Sequence, residues 1–134
     1  MRESVRIKDL ENRGDERGES FSIPQEIFDF LGNVDEVHMA EIEPGAVRGN
    51  HYHKSKKEVM VVWYADNWSF GWQSAEETKT KVKDFNGRGA MIVEIAPEAA
   101  HAIKNSGDEI LRIIAFSDKR SDPRQPDTHR KVLL

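Results

Sequence analysis

Pro44-Gly45-Ala46-Val47-Arg48-Gly49-Asn50-His51-Tyr52-His53-Lys54-Ser55-Lys56-Lys57-Glu58 is the stretch on which the reading of this chain turns. In an extended segment the period-2 alternation puts His51 and His53 on one face and Tyr52 on the other. The polar bend Lys54 to Lys57 then leads to Glu58, which opens the apolar run Val59-Met60-Val61-Val62-Trp63-Tyr64. A carboxylate therefore starts the next strand beside two imidazoles. Downstream, Pro97-Glu98-Ala99-Ala100-His101 follows a second apolar run and supplies a third imidazole. Three nitrogen donors and one carboxylate form a donor set suited to a divalent metal, with room left for water or substrate.

Composition narrows the setting. The chain has 134 residues, 20 basic and 24 acidic side chains and no cysteine. That length predicts a single domain, residues 1–134, with an N-terminal arm and helix over about 1–35, a barrel over about 36–118 and a tail over 119–134. The mixed charge, without a basic block, predicts no nucleic-acid partner. No apolar run approaches the roughly 20 residues of a membrane span and the first residues lack an apolar signal core, so a soluble cytoplasmic protein is expected. Without thiols, any metal must sit on nitrogen and oxygen.

In chain order, Arg2 to Leu10 reads as a short strand or arm, and Glu11 to Glu19 as a solvated loop broken by glycines. Pro24 to Gly32 predicts one short helix: proline and glutamate fit a first turn, Ile27 and Leu31 share a face, and Gly32 fits a stop. Glu36 to Ile42 alternates as a strand, and Pro44-Gly45 is a type II turn signal. Glu58 to Tyr64 and Trp68 to Gln73, flanking Ala65-Asp66-Asn67, are expected to form a hairpin. Thr78 to Asp84 places Lys79, Lys81 and Lys83 on one face, which suits an edge strand. Ala90 to Ile95, His101 to Asn105 and Glu109 to Phe116 bring the count to about eight strands, the pattern of an all-β sandwich or barrel.

Gly45, His51-x-His53, Glu58, and then His101 with Asn105 four residues on resemble the two motifs of the cupin superfamily, whose members are double-stranded β-helices, or jelly-roll barrels. The resemblance implies this fold with one short N-terminal helix, and one divalent ion (Zn, Mn, Fe or Ni) on His51, His53, Glu58 and His101. Departures fall in turns: Ala65 stands where the first motif usually closes on glycine, and Glu98 and Ala96 stand where the second usually has glycine and proline. Arg48 to Lys54, with the tail Ser121 to His129, is similar to the cupin domains of nucleotide-sugar enzymes of capsular polysaccharide synthesis. That likeness implies an epimerase or isomerase acting by proton transfer beside a keto group of a nucleotide-linked sugar. A metal-dependent dioxygenase and a non-catalytic small-molecule-binding cupin are the alternatives.

For such chemistry the candidate acids and bases are Tyr52, Tyr64 and His38, and Arg48 and Lys54 are candidates for contacting phosphate. Simple packing accounts for Trp63, Trp68, Trp72 and Phe70. Along Glu58 to Tyr64 both faces are apolar: Met60, Val62 and Tyr64 would line the barrel, while Val59, Val61 and Trp63 face outward. A stripe of this kind needs a cover, and a homodimer that buries Val59, Val61 and Trp63 is expected.

Overall fold

The computed structural model describes residues 3–134, so Arg2, at the start of the expected arm, lies outside the described residues. Among them run β1 (Val5–Asp9), α1 (Gln25–Leu31), β2 (Glu36–Ile42), β3 (Val47–Tyr52), β4 (Glu58–Tyr64), β5 (Trp68–Gln73), β6 (Lys81–Phe85), β7 (Gly89–Ile95), β8 (Ala100–Asn105), β9 (Leu111–Ser117) and β10 (His129–Arg130). Two antiparallel five-stranded sheets result, ordered β1-β7-β4-β9-β2 and β10-β3-β8-β5-β6. This is the jelly-roll architecture that the spaced short strands predict. No helix among the described residues is long and apolar enough to cross a membrane.

The inward residues of both sheets share one core. Met60, Val62 and Tyr64 of β4 meet Trp68 and Phe70 of β5, Met91 and Val93 of β7, and Ile103 of β8. Between β4 and β5 the expected hairpin does not form. β4 pairs with β7 and β9, whereas β5 pairs with β6 and β8, so residues 65–67 carry the chain from one sheet to the other. Asp66 fastens that crossing by accepting the N–H of Asn67 at 2.8 Å and that of Asp108 at 2.8 Å. A short turn with a side-chain acceptor serves a crossing as well as a hairpin, and local sequence does not separate the two.

The outer stripe of β4 also departs from expectation. Val59 is fully buried, but its cover is the chain's own helix: Ile27 and Leu31 pack with Val59 and Ile92, flanked by Leu10, Ile23 and Phe116. α1 ends as its sequence predicts, with Gly32 at φ 81° and its N–H bonded to the Phe28 carbonyl at 2.9 Å. Trp63, beyond the reach of the helix, stays 55% exposed, packs edge-on against Phe21 and donates Nε1–H to Glu19 at 3.2 Å. The lysine-rich segment does lie at a sheet edge, as β6, although Lys79 precedes the strand.

Candidate metal centre

Local backbone features aim the histidines. Pro44-Gly45 forms the expected type II turn, with Gly45 at φ 82° and the Ala46 N–H bonded to the Glu43 carbonyl at 2.9 Å. β3 then pairs with β8, and the register shifts between Gly49 and His51. Gly49 has φ 90°, and a Cβ there would stand 2.8 Å from the His101 carbonyl oxygen, so only glycine lets the two strands close up behind the ligands. Past the shift, His51 lies directly opposite His101. The turn before β8 is held by Glu98 in the left-handed region at φ 73°, where the family motif usually has glycine. The Glu98 N–H bonds the His53 carbonyl and ties that turn to the ligand segment.

One ligand nitrogen from each of His51, His53 and His101 falls within 4.8 Å of the others, a trio that Glu58 does not join at that distance. Metal–nitrogen bonds of about 2.0–2.1 Å bring such a trio onto a single ion with small side-chain adjustments. The tautomers agree with this use. His53 Nδ1 is 2.7 Å from the Asp127 carbonyl and His101 Nδ1 is 3.0 Å from the Ala99 carbonyl, so each donates through Nδ1 and leaves Nε2 with its lone pair free. His101 is buried and its Nε2 has no hydrogen-bond partner among the described residues. Glu58 Oε1 lies 3.4 Å from that nitrogen, without hydrogen-bond geometry, so the two acceptors converge on one point. An orphaned, buried imidazole nitrogen that faces two imidazoles and a carboxylate fits a divalent cation.

Electrostatics point the same way. Burial, followed by the neighbouring His101 and His53, lowers the His51 pKa to about 4. Burial also lowers that of His53, although the bond to the Asp127 carbonyl opposes it. For Glu58, burial pushes upward, but His101 and the other imidazoles, when they carry a proton, outweigh it and bring the carboxyl to about 2. Two neutral imidazoles beside an ionised carboxylate are what a metal requires of its ligands.

The quartet lies at one end of the barrel, where His51, Glu58 and His101 join His38, Arg48 and Met60 in lining a cavity of about 140 Å³. His38, on β2, is exposed at its mouth, and Arg48 is oriented by its Nε–H bond to the Glu41 carbonyl at 2.7 Å. The other sequence candidates stand elsewhere. Tyr52, on the opposite face of β3, stacks on His129 with ring centres 5.1 Å apart. Tyr64 is at the far end of the barrel against Trp68 and Phe85, and burial raises its phenol pKa, which disfavours a role as base. Lys54 is exposed and engaged through its backbone N–H.

Two residues with no role in the sequence reading hold the ligand segment. Asp127 accepts the N–H groups of Lys54 and Ser55 at 2.8 and 3.0 Å and the Ser55 hydroxyl at 2.8 Å. Burial opposes ionisation there, but these donors hold the carboxyl well below its usual range. Asn50, left-handed at φ 56°, accepts the N–H groups of Leu133 and Leu134. Tail and ligand strand are thereby clasped over separations of 72 to 84 residues, which no local pattern announces.

The model of the polysaccharide biosynthesis C-terminal domain matches residues 13–129. The spore coat polysaccharide biosynthesis protein SpsL of Bacillus subtilis is 24% identical over 134 residues, which cover 97% of this chain and 89% of SpsL. Among solved structures, the capsular polysaccharide assembling protein CapF of Staphylococcus aureus is similar at a TM-score of 0.67 and 24% identity, over 91% of this chain. This chain spans only 34% of CapF. QdtA of Thermoanaerobacterium thermosaccharolyticum, a sugar 3,4-ketoisomerase solved with TDP, is similar at a TM-score of 0.71 and 17% identity, over 98% of this chain and 90% of QdtA. With its two jelly-roll sheets and its histidine-lined cavity, the chain belongs to the polysaccharide biosynthesis C-terminal domain family and has the cupin fold.

Proposed function

We propose that the protein is a metal-dependent sugar epimerase or isomerase that moves a proton at a carbon beside a keto group of a nucleotide-linked sugar. The observation that carries this reading is the cavity itself, where His51, Glu58 and His101 share one wall space with His38 and Arg48. A divalent ion, Zn, Mn, Fe or Ni, held by His51, His53, Glu58 and His101 would supply Lewis acidity toward a carbonyl oxygen. His38 is the titratable side chain in the cavity outside that donor set, so it takes the role of base, removing the proton beside the carbonyl and returning one. The fixed guanidinium of Arg48 suits a diphosphate at the cavity mouth. The apolar walls Met60, Ile103 and Ile113 limit water around the reacting carbon. Tyr52, Tyr64 and Lys54 have no part in this scheme. The similarity to a ketoisomerase solved with TDP supports the choice of a nucleotide-linked sugar.

Deuterium wash-in tests the reading. Incubated in heavy water with a nucleotide-linked 4-keto-6-deoxysugar, the metal-loaded protein should exchange the hydrogen at C3 or C5. Oxygen consumption without exchange would replace the reading by a dioxygenase, and neither signal across a panel of such sugars by a binding module. As to assembly, we place a homodimer contact on the outer face of the first sheet, where Val37, Met39, Trp63 and Ile114 remain exposed beyond the reach of α1. Trp63→Glu should shift the protein toward monomer in light scattering, and a wild-type monomer at micromolar concentration would dismiss the contact.

A further inference from the structure

We propose that the pocket between the Ser55 to Lys57 bend and residues 119–128 binds a phosphoryl anion, phosphate or diphosphate, through the ammonium group of Lys56. This pocket, of about 500 Å³, shares no lining residue with the cavity of the metal centre. Lys56 is only 8% exposed, and its Nζ has one polar contact among the described residues, the Ser121 hydroxyl at 3.1 Å. Among the described residues it has no ion pair, and the Ser121 hydroxyl in turn donates to Glu36 at 3.2 Å. Burying an ammonium group without an anionic partner is costly, and lysine is seldom buried unless paired.

The two carboxylates that line the pocket are committed elsewhere. Asp127 is filled by three donors from Lys54 and Ser55, and Asp122 accepts the Arg124 N–H and lies 3.4 Å from its guanidinium. Lys119 and Arg120 add two further cations to the same wall. Arg120 gives one guanidinium N–H to the Asp35 carbonyl at 2.7 Å, which fixes its plane and leaves other donors available. A lysine that is itself little exposed, an exposed one and an anchored guanidinium around a pocket of this size match the charge and the acceptor-only oxygens of a phosphoryl group. The group could arrive as free inorganic phosphate or on a nucleoside diphosphate.

Calorimetric titration of the metal-free protein with inorganic phosphate, pyrophosphate and uridine diphosphate tests this. Saturable binding of at least one of them is expected, weakened about tenfold or more by Lys56→Met, which keeps the side-chain volume, and about threefold by Lys119→Gln, an exposed change that leaves folding intact. Lys83→Gln, an exposed change on the edge strand β6 away from both cavities, should leave this binding unchanged. Inorganic phosphate competing fully with the nucleotide would mark an independent phosphate site, whereas binding of the nucleotide alone would mark a diphosphate subsite. The proposal is overturned if none of the three binds, or if Lys56→Met and Lys119→Gln both bind as the wild type does. Neither metal nor sugar enters the titration, so its result stands apart from the wash-in experiment.

Discussion

The two ends of the barrel interior are built on the same strands yet do opposite work. β4 runs from one to the other, with Glu58 beside the histidines and Tyr64 against Trp68 and Phe85. At the far end the rings close the barrel: Trp68 and Phe85 stack at 4.1 Å and 11°, and Tyr64 lies 5.4 Å from Trp68. Among the described residues each end keeps one buried nitrogen without a partner, Trp68 Nε1 and His101 Nε2. The indole can only donate and has aromatic neighbours, whereas the imidazole lone pair faces two more imidazoles and a carboxylate. An orphaned polar atom points to a ligand only where its neighbours can share that ligand.

The contrast predicts unequal responses to truncation. Trp68→Ala should cost about 3–5 kcal/mol, because it opens a cavity in a region that is fully buried. His51→Ala, in metal-free protein, should change stability by at most about 1 kcal/mol, since it removes an imidazole that burial already disfavours in its charged form. Urea denaturation reads both, and equal losses would erase the distinction between a packing end and a binding end.

A second response sharpens the same contrast through pH. His51 is held at about 4, below its ordinary 6.5, so between those values the unfolded chain binds more protons than the folded one. Metal-free protein should therefore lose stability as pH falls from 6.5 toward 4. The Glu58 contribution should fade next, as pH falls from 4.5 toward about 2. His51→Ala should flatten the upper part of the profile. An unchanged slope would mean that the imidazole is not desolvated as described.

Much of this was legible in the sequence, because the signals are local. Period-2 alternation and punctuation located β2, β4 and β5, Pro44-Gly45 its turn, and Ile27, Leu31 and Gly32 the helix. The pairing of His51 with His53 was readable from spacing, since a strand fixes which side chains share a face, and His101 joined them through the second cupin motif. What escaped depends on which distant segments meet. Whether residues 65–67 turn back or cross between sheets is decided by partners far along the chain. The cover over Val59 comes from a helix 32 to 28 residues earlier, and periodicity reveals a stripe without revealing its partner. Tyr64 shares a strand face with Glu58, yet six residues of strand place it roughly 20 Å away. Asp127 and Asn50 hold the ligand segment through contacts between residues 73 and 83 positions apart.

Elemental analysis of purified protein tests the central claim, that these histidines and Glu58 form one metal centre. The wild type should carry one divalent ion per chain, and His51→Ala and His101→Ala should each lose it while remaining folded by circular dichroism. Unchanged metal content in both variants, or a wild type that takes up no divalent ion from Zn, Mn, Fe or Ni at micromolar concentration, would contradict the assignment.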